Sequence, residues 1–264
     1  MQKLIKEKNI DVIHAYLMGP LIQSGIAGTL TKAKVIWHIH SHLYGLGYVS
    51  KYLLKFLAHF SAIRLITYVN KELKEYFENK FRFPPSKGTI LYNASNLKVS
   101  EKTTTGKVII GFAGRLIPLK RVEYLIEIAH KLNSAGKKGF EIWIIGDGIY
   151  KEALKKQAKT LNVDHIVKFK GFHIDILPFY EIFDIFILPS REECLSLALI
   201  DAGMAGIPSI AFDVGGNNEI IIDGKTGFVV NTKQELIEKT KILMASKEKR
   251  KLMGSKAKSH CEKR

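Results

Sequence analysis

Cysteine is scarce in this chain of 264 residues, which has only Cys194 and Cys261, far apart in sequence. Two distant cysteines give no disulfide framework, so they favour a reducing, cytoplasmic setting. The first residues lack a continuous apolar stretch, and we therefore expect no signal peptide. No run of 18 or more apolar residues marks a membrane span. We expect a cytoplasmic protein, either soluble or attached peripherally to the inner face of a membrane.

Several binding motifs are also missing from the sequence. There is no GxGxxG of a dinucleotide fold, no P-loop GxxxxGK[ST] and no zinc-finger spacing. The basic residues are not accompanied by the aromatic-and-basic signature of an RNA-binding module. These absences count against P-loop nucleotide binding and against a nucleic-acid partner.

Negative charge is in the minority, and the formal net charge is +16. Residues 1–106 carry 15 Lys and Arg against 6 Asp and Glu, and residues 107–264 carry 26 against 19. Such a field favours anionic partners, namely nucleotides, nucleic acid or an acidic lipid surface. A generally lysine-rich composition explains the excess equally well, and both explanations stay open at this point.

Short β-branched runs alternate with amphipathic stretches along most of the chain, a pattern that predicts parallel sheets covered on both faces. The predicted strands are 11–16, 34–40, 64–69, 88–93, 107–114, 140–148, 165–172, 184–190, 208–212 and 227–230. The predicted helices are 48–60, 71–81, 121–136, 150–162, 176–183, 197–206 and 233–246, with the end of a helix in 1–9 and a basic tail after 246.

The polar segment 98–107 lacks apolar periodicity and is the predicted linker. The fold class predicted is therefore α/β, with two doubly wound, Rossmann-like domains over residues 1–100 and 101–264. The second domain has a full set of strands and helices. The first is expected to be incomplete, because its first strand comes only at 11–16, directly after the end of a helix.

Ligands of open parallel sheets bind beyond the carboxyl ends of the strands, and four such segments carry polar residues. In 111–121, "GFAGRLIPLKR", Arg115 and Lys120 follow a strand and precede a helix, which suits a pyrophosphate, although two solvated bases on a turn fit as well. In 144–148, "IIGDG", Gly146 and Gly148 allow close backbone approach to a ligand or simply a tight turn.

The third segment is 190–201, "SREECLSLALID", where Ser196 is a candidate N-cap between Glu193 and Asp201. Carboxylates in these places suit paired sugar hydroxyls, or they are the solvated face of a helix. The fourth is 212–230, where Gly215-Gly216 follows a strand and Glu219 is either a ligand or a carboxylate at a helix start.

The order of these segments resembles the family 4 retaining glycosyltransferases of the GT-B fold. The resemblance rests on "GRLIPLK…GDG…FKGF…LPSREECLSLALIDAGMAGIPSIAFDVGGNNEIIIDGKTGFVV", and earlier on "DVIHAY", "VIWHIHSH", "LITYVNKELKEYF" and "GTILYNASNL". It covers about 11 to 246, and its most specific part is 188–230. It implies a GT-B-like arrangement of two domains facing a cleft, with an acceptor-side domain over 1–100 and a donor domain over 101–264. The family's first strand and Gly-rich loop are expected before residue 1.

The resemblance also implies a reaction, the transfer of a sugar from a UDP- or GDP-linked donor to a hydroxyl of a sugar or lipid-linked acceptor, with retention. Polysaccharide or glycolipid synthesis at an anionic membrane surface is the context it suggests. Arg115 and Lys120 match the pair on the donor diphosphate, and no acidic metal cluster is visible, so neither a metal nor another cofactor is expected.

Further roles are implied residue by residue. Glu193 matches the first glutamate of the E-x7-E motif, on the transferred sugar, and Asp201 the second, on the ribose, one methylene shorter than the usual glutamate. His40 best matches the first-domain histidine that faces the donor sugar, with His38 and His42 as alternatives on its strand face. The implied backbone contacts are Cys194, Leu195, Ser196 and Leu197 for sugar and phosphate and Gly171, Phe172 and His173 for the base, with Gly114, Gly146, Gly215, Gly216 and Glu219 in nearby loops.

Other functions compete with this one. A truncated, non-catalytic protein that binds a nucleotide or nucleotide sugar is the main alternative. An epimerase acting on a nucleotide sugar and a nucleic-acid binder, prompted by charge alone, are further hypotheses. The side chains of Cys194 and Ser196, where the family favours glycine, leave less room for a donor.

Overall fold

The structure is a computed structural model that describes residues 1–43, 45, 47–99 and 102–263. It divides into two compact units, Met1–Asn93 and Ala94–Arg264. The predicted boundary between residues 100 and 101 lies outside the described residues. The division falls at Asn93 because the segment after it belongs to the second unit, where the Ser95 hydroxyl donates to the Asp201 carboxylate.

The first unit is a parallel α/β layer whose four strands follow one another in chain order across the sheet. Its centre is apolar, with Val35, Trp37, Ile39, Ile63 and Ile66 all fully buried. The elements are α1 (Gln2–Glu7), β1 (Val12–Tyr16), α2 (Met18–Thr29), β2 (Lys34–Ile39), α3 (Tyr48–Ala58), β3 (Ile63–Tyr68), α4 (Lys71–Glu75) and β4 (Gly88–Ile90).

The second unit holds a six-stranded parallel sheet in the order β10-β9-β8-β5-β6-β7. This is the doubly wound order, in which the chain runs outward from the centre first in one direction and then in the other. The elements are β5 (Val108–Ala113), α5 (Glu123–Ser134), β6 (Phe140–Ile145), α6 (Lys151–Thr160), β7 (Val167–Gly171), α7 (Leu177–Tyr180), β8 (Ile185–Leu188), α8 (Leu197–Met204), β9 (Ser209–Phe212), α9 (Asn217–Ile220), β10 (Gly227–Val230), α10 (Lys233–Ala245) and α11 (Lys247–Glu262). The prediction of a parallel α/β fold is confirmed.

Helix α2 is absent from the predicted elements because its sequence, "MGPLIQSGIAGT", is rich in small residues rather than spaced apolar ones. The small residues let the helix pack closely on the sheet. A Cβ on Gly28 would lie 2.4 Å from Val35 Cγ2, and one on Gly25 would lie 3.0 Å from the Trp37 ring. Close packing therefore stabilises a helix whose intrinsic propensity is poor.

The segment predicted as the helix 71–81 is not a single α-helix. After α4 the chain continues as a π-helical turn, Tyr76–Lys80. This wider turn contains Phe77, whose ring is fully buried against Phe83 at 5.1 Å between centroids. The need to bury that ring explains the departure from regular spacing.

The basic tail after residue 246 is a correction, since it forms the 16-residue helix α11. Ser246 caps it by accepting a hydrogen bond from the backbone N–H of Lys249 at 3.1 Å. The helix packs on α8 through glycines. A Cβ on Gly203 would lie 2.3 Å from Cys261 Sγ, and one on Gly254 would lie 2.0 Å from the carbonyl oxygen of Gly206. Because α11 is mostly charged, its sequence has no apolar spacing from which this narrow packing face could be predicted.

We expect the substitution Gly254→Ala to destabilise the second unit. Alanine gains about 1 kcal/mol over glycine in a helix interior. The new methyl group would collide with backbone rather than with a flexible side chain, and overpacking costs about 2 kcal/mol or more. The net effect should lower the Tm by a few degrees, roughly 3 °C, in a thermal melt followed by circular dichroism. Ser255→Ala, exposed on the same helix, is the control, and an equal or higher Tm for Gly254→Ala would contradict this packing.

Candidate functional site

The polar segments singled out in the second domain lie at the carboxyl edge of the second sheet. Strand β5 pairs with β6 on one side and with β8 on the other. The chain therefore leaves β5 in one direction across the sheet and β8 in the opposite direction. Such a reversal opens a crevice between the two loops, which is where open α/β sheets bind ligands.

The loop after β5 carries the two predicted cations. Gly114 and the exposed Arg115 come first, followed by a 3-10 turn, Pro118–Lys120. Arg121 then adopts the left-handed conformation, with φ of 47°, and leads into α5. The turn is tied to the loop after β8, because the Arg191 N–H donates to the Leu119 carbonyl at 2.9 Å.

Lys120 and Glu193 form an ion pair across this crevice, with Lys120 Nζ 2.5 Å from Glu193 Oε1. Their side chains are only 16% and 10% exposed. Two charges held so far from water require each other, since removing one leaves the other desolvated and unpaired. The structure thus brings together two residues that are 73 positions apart in sequence.

The loop after β8 ends in a capped helix, as the sequence predicts. Ser196 Oγ accepts a hydrogen bond from the Leu199 N–H at 3.3 Å, which makes Ser196 the N-cap of α8. Leu195 and Ser196 are buried, whereas the Leu197 side chain is 52% exposed. Cys194 is half-buried in the same loop.

Asp201 lies in α8, more than a turn beyond Glu193, and is half-buried. Burial raises the pKa of its carboxyl group, and the hydrogen bond from Ser95 partly opposes that rise. Ser95 Oγ donates to Asp201 Oδ1 at 2.5 Å. Ser95 lies within "GTILYNASNL" but was assigned no role from the sequence, since it stands in an irregular segment 106 residues away.

Tyr180 is a second neighbour of Asp201 that the sequence analysis did not single out. Its hydroxyl donates to the Ala198 carbonyl at 3.2 Å. Burial raises the pKa of this phenol well above its ordinary value, and the charge of Asp201 raises it further. The tyrosine therefore stays neutral beside α8.

Gly215 and Gly216 pack against the backbone of Glu193 and Cys194. A Cβ on Gly215, whose φ is +55°, would lie 1.9 Å from the Glu193 carbonyl oxygen. The Gly216 N–H donates to the Cys194 carbonyl at 2.7 Å. The loop after β9 therefore supports the loop that carries Glu193.

Glu219 occupies the first turn of α9, where the helix dipole stabilises a carboxylate. Its carbonyl oxygen is bonded to His260 Nε2 of α11 at 3.0 Å. The expectation of a carboxylate at a helix start is confirmed, while a ligand role for Glu219 stays a prediction.

The glycines of "IIGDG" make a contact between loops. A Cβ on Gly146, at φ of +132°, would lie 1.9 Å from the Gly114 carbonyl oxygen, and one on Gly148, at +157°, would lie 2.4 Å from that of Leu116. Four backbone hydrogen bonds join the loops after β5, β6 and β7: Gly114 N–H to Ile145 O at 3.0 Å, Leu116 N–H to Asp147 O at 2.9 Å, Tyr150 N–H to Leu116 O at 3.0 Å, and Gly146 N–H to Gly171 O at 2.7 Å. These glycines are therefore required by contact between loops, while close backbone approach to a ligand stays a prediction.

Gly171, Phe172 and His173 lie at the end of β7 on the surface. Gly171 has φ of +79° and open space around it, and the Phe172 side chain is 70% exposed. His173 bonds through Nε2 to the Lys170 carbonyl at 2.9 Å. Their predicted place beside a nucleotide base stays a prediction.

His40 belongs to the first unit, directly after β2. Its ring lies 4.2 Å from the ring of His38 and 5.5 Å from that of Tyr16, which the sequence analysis missed. Burial lowers the pKa of His40, and the nearby His14 lowers it further. His38 is buried and hydrogen-bonded to Thr67, and its pKa is lowered to about 4 by burial and by His40 and His14.

The third histidine considered, His42, lies elsewhere. Its Nε2 is 3.4 Å from Glu72 Oε1, and its ring stands edge-on to Tyr76 at 4.5 Å. His38 and His40 therefore share the strand face, and His42 has left it. The assignment of His40 to a donor sugar stays a prediction.

In the described part of the chain, no helix is both long and apolar enough to cross a membrane. Among the same residues, no three or more His, Cys, Asp or Glu side chains are grouped so as to hold a metal ion.

Comparisons with known proteins cover both units. The family model described as Glycosyl transferases group 1 matches residues 94–260, and the one described as Glycosyltransferase Family 4 matches residues 1–99. An uncharacterized glycosyltransferase of Methanocaldococcus jannaschii is 27% identical over an alignment of 277 positions that covers 99% of this chain and 73% of the relative.

Two relatives with assigned activities show similar identity. One is the GDP-mannose-dependent alpha-(1-6)-phosphatidylinositol monomannoside mannosyltransferase of Mycolicibacterium smegmatis, 25% identical over 88% of this chain and 66% of the relative. The other is the UDP-Gal:alpha-D-GlcNAc-diphosphoundecaprenol alpha-1,3-galactosyltransferase of Escherichia coli, 26% identical over 87% of this chain and 65% of the relative. The chain thus spans about two thirds of their length.

Solved structures agree on the fold. HepE of Anabaena, crystallised with UDP, matches with a TM-score of 0.89 at 21% identity, over 99% of this chain and 77% of that one. A second structure, TarM, gives a TM-score of 0.82 at 20% identity, over 100% of this chain and 54% of that one. The chain therefore belongs to the glycosyl transferases group 1 family of enzymes and has the GT-B fold.

Proposed function

We propose that the protein is a retaining glycosyltransferase that binds a nucleotide-sugar donor in the crevice between the loops after β5 and β8. The observation that carries the proposal is the Lys120–Glu193 ion pair, a cation and an anion held together at the switch point of the sheet. A donor combines a diphosphate, which attracts the cation, with sugar hydroxyls, which donate to the carboxylate. Donor binding would therefore give each member of the pair a new partner.

Arg115 and Lys120 are proposed to bind the diphosphate. In the transfer, the bond from sugar C1 to the diphosphate oxygen breaks and a bond from C1 to the acceptor oxygen forms, with the acceptor proton passing to the departing diphosphate. Negative charge grows on the diphosphate as its bond breaks, so cations placed there stabilise the transition state more than the ground state. In this proposal Arg115 and Lys120 supply the positive charge without a metal cofactor.

Glu193 and Asp201 are proposed to hold hydroxyl groups of the donor, Glu193 those of the sugar and Asp201 those of the ribose. Asp201 already accepts a hydrogen bond from the Ser95 hydroxyl, and an aliphatic hydroxyl of a ribose presents the same chemistry. The backbone amides at the start of α8, after the Ser196 cap, add donors for an anionic group.

The relatives suggest the class of donor and acceptor. Their names specify GDP-mannose or UDP-galactose as donors, and a phosphatidylinositol mannoside or a diphosphoundecaprenol-linked sugar as acceptors. Solved structures of HepE contain UDP and UDP-glucose. We propose a UDP- or GDP-linked donor, a sugar or lipid-linked acceptor, and a role in polysaccharide or glycolipid synthesis at an anionic membrane surface on the cytoplasmic side.

The alternative is a protein that binds the nucleotide sugar without transferring it. The chain spans about two thirds of the length of the two relatives with assigned activities. Binding of UDP or GDP with no turnover in any transfer or hydrolysis assay would identify such a protein.

The first prediction concerns Glu193→Gln. The neutral amide keeps the shape of the side chain and removes its charge, so it weakens hydroxyl binding and releases Lys120 from its partner. We expect kcat/KM for sugar transfer to fall about 100-fold, measured over a panel of UDP- and GDP-sugars with lipid-linked and free acceptors. Glu192→Gln, an adjacent exposed carboxylate, is the control and should change the rate less than about twofold. Equal rates for Glu193→Gln and native protein would contradict the proposed role.

Binding of the nucleotide can be tested separately from turnover. Lys120→Ala should weaken UDP or GDP binding about tenfold or more in calorimetry, because a charge-assisted contact to the diphosphate is lost. Lys131→Ala, on the exposed side of α5, is the control for general charge. Unchanged nucleotide affinity in Lys120→Ala would contradict the placement of Lys120 on the diphosphate, and absence of any UDP or GDP binding by the native chain would reject both the enzyme and the non-catalytic binder.

A third prediction uses the support of Glu193 by Gly215. Gly215→Ala places a methyl group against the Glu193 carbonyl oxygen and should displace this loop, lowering donor affinity about tenfold. Gly224→Ala is a matched control, because its φ of +69° imposes similar backbone strain in open space. Calorimetry with UDP compares the two, and an equal effect of both substitutions would show that strain alone is responsible.

A fourth prediction concerns Asp201→Asn. Burial raises the pKa of this carboxyl in the folded protein, so at pH 7 ionisation is penalised there and not in the unfolded chain. The amide removes that penalty and still accepts the Ser95 hydrogen bond. We expect the Tm to rise by about 1–2 °C at pH 7 while donor affinity falls.

The sign of the pH dependence follows from the same shift. Below the pKa of an ordinary Asp, about 3.9, the carboxyl is protonated in both the folded and the unfolded state, and the advantage of the amide disappears. Tm values measured between pH 3 and pH 7 should therefore converge at the acid end. A native protein that is more stable than Asp201→Asn at pH 7 would contradict this account.

A further inference from the structure

One helix of the first unit exposes large apolar side chains in a row. On α3, Tyr48, Val49, Tyr52 and Phe56 are 83%, 81%, 69% and 62% exposed. Three of them recur every four residues, so they lie along one side of a helix roughly 16 Å long. We call these four residues the aromatic stripe. The opposite face of the helix is in the core, through Leu54, Leu57 and Ala58.

A pocket lined by cations adjoins the end of the stripe. The pocket has a volume of about 260 Å³, and its walls include Lys32, Lys34, Arg64 and Phe60. The Phe60 ring contacts that of Phe56, with 4.8 Å between centroids. The stripe therefore leads directly to the pocket, which we call the basic pocket.

The two surfaces share a segment that has no negative charge. From Val12 to Lys71 the sequence contains neither Asp nor Glu. Lys51 and Lys55 are half-buried on α3 itself, and Lys51 Nζ lies 5.9 Å from the centre of the Tyr48 ring. Beside the basic pocket, the Lys87 ammonium donates to the Ala58 and Phe60 carbonyls. Burial and the charge of Arg64 lower its pKa. Cations are thus crowded here with no carboxylate of the segment to balance them.

We propose that the aromatic stripe and the basic pocket together form the surface by which the protein docks on an anionic lipid bilayer. A helix in a membrane interface combines aromatic and aliphatic side chains, which enter the headgroup region, with lysines that attract anionic lipids. The stripe supplies the first component, and Lys51 and Lys55 supply the second. The cations of the basic pocket supply partners for a phosphate headgroup at the end of the stripe.

Charge distinguishes this occupant from other apolar partners. A second copy of the chain would bring a second segment of the same sign against the first, which repels. An anionic bilayer complements both the apolar and the cationic parts at once. The inference rests on the part of the proposed function that puts the protein at a membrane, and it does not depend on catalysis.

The test is binding of the full chain to vesicles without donor or acceptor. Vesicles of phosphatidylcholine with 30% phosphatidylglycerol are compared with pure phosphatidylcholine by flotation at low and at physiological salt. We expect binding at least tenfold stronger to the anionic vesicles, weakening as salt rises. Tyr52→Ser/Phe56→Ser should lower it at least tenfold, and Lys32→Ser/Lys34→Ser/Arg64→Ser should lower it and flatten its salt dependence.

Controls separate the surface from general effects. Leu252→Ser/Ile242→Ser removes exposed apolar side chains of the second unit, which are 57% and 38% exposed, and should leave vesicle binding within about twofold of native. Glu193→Gln should also bind normally, so loss of transfer and loss of docking are independent results. Thermal melts of every variant check that it is folded.

Four results would overturn the proposal. The first is no preference for anionic vesicles, and the second is equal loss of binding in the stripe variant and in the Leu252→Ser/Ile242→Ser control. The third is a dimer of the native chain, seen by light scattering, that the stripe variant abolishes while vesicles bind neither protein. Inorganic phosphate that binds the basic pocket in calorimetry, without any vesicle binding, would likewise contradict a docking surface.

Discussion

Contact between backbones at the carboxyl edge of the second sheet sets the geometry of the whole candidate site. The loop after β6 lies on Gly114 and Leu116, and the loop after β9 lies on the Glu193 carbonyl. Side chains at those contacts would force the loops apart. Glu193 and Lys120, which meet in the crevice, are therefore positioned by the loops after β5, β6, β8 and β9. Each of these loops is in backbone contact with a neighbouring one.

The polar groups on this support are costly to bury, and each is compensated by a specific partner. Lys120 and Glu193 neutralise each other, while Asp201 keeps one hydroxyl partner in Ser95 and has a raised pKa. Such arrangements are common where a protein has given up stability to bind a ligand. A ligand that offers both an anionic and a hydroxyl-bearing part can replace all of these partners at once. A nucleotide sugar has both an anionic diphosphate and hydroxyl groups, so it is a ligand of this kind.

The place of the polar loops in the candidate site was predictable from the sequence, because strand and helix alternation puts every βα loop at the same edge of a parallel sheet. The Ser196 cap was also predictable, since it depends on residues close in the chain. The Ser95–Asp201 bond was not, because the two residues are 106 positions apart and Ser95 lies in an irregular segment. Helices α2 and α11 were missed for another reason: glycine contacts replace the apolar spacing on which the prediction depends.

The most direct test of the central claim is a crystal structure of the chain with a bound nucleotide sugar. The account predicts the diphosphate against Lys120 and Arg115, with sugar hydroxyls on Glu193 and the Lys120–Glu193 ion pair separated. A nucleotide bound elsewhere on the chain, with Lys120 and Glu193 still paired at their present distance, would contradict it.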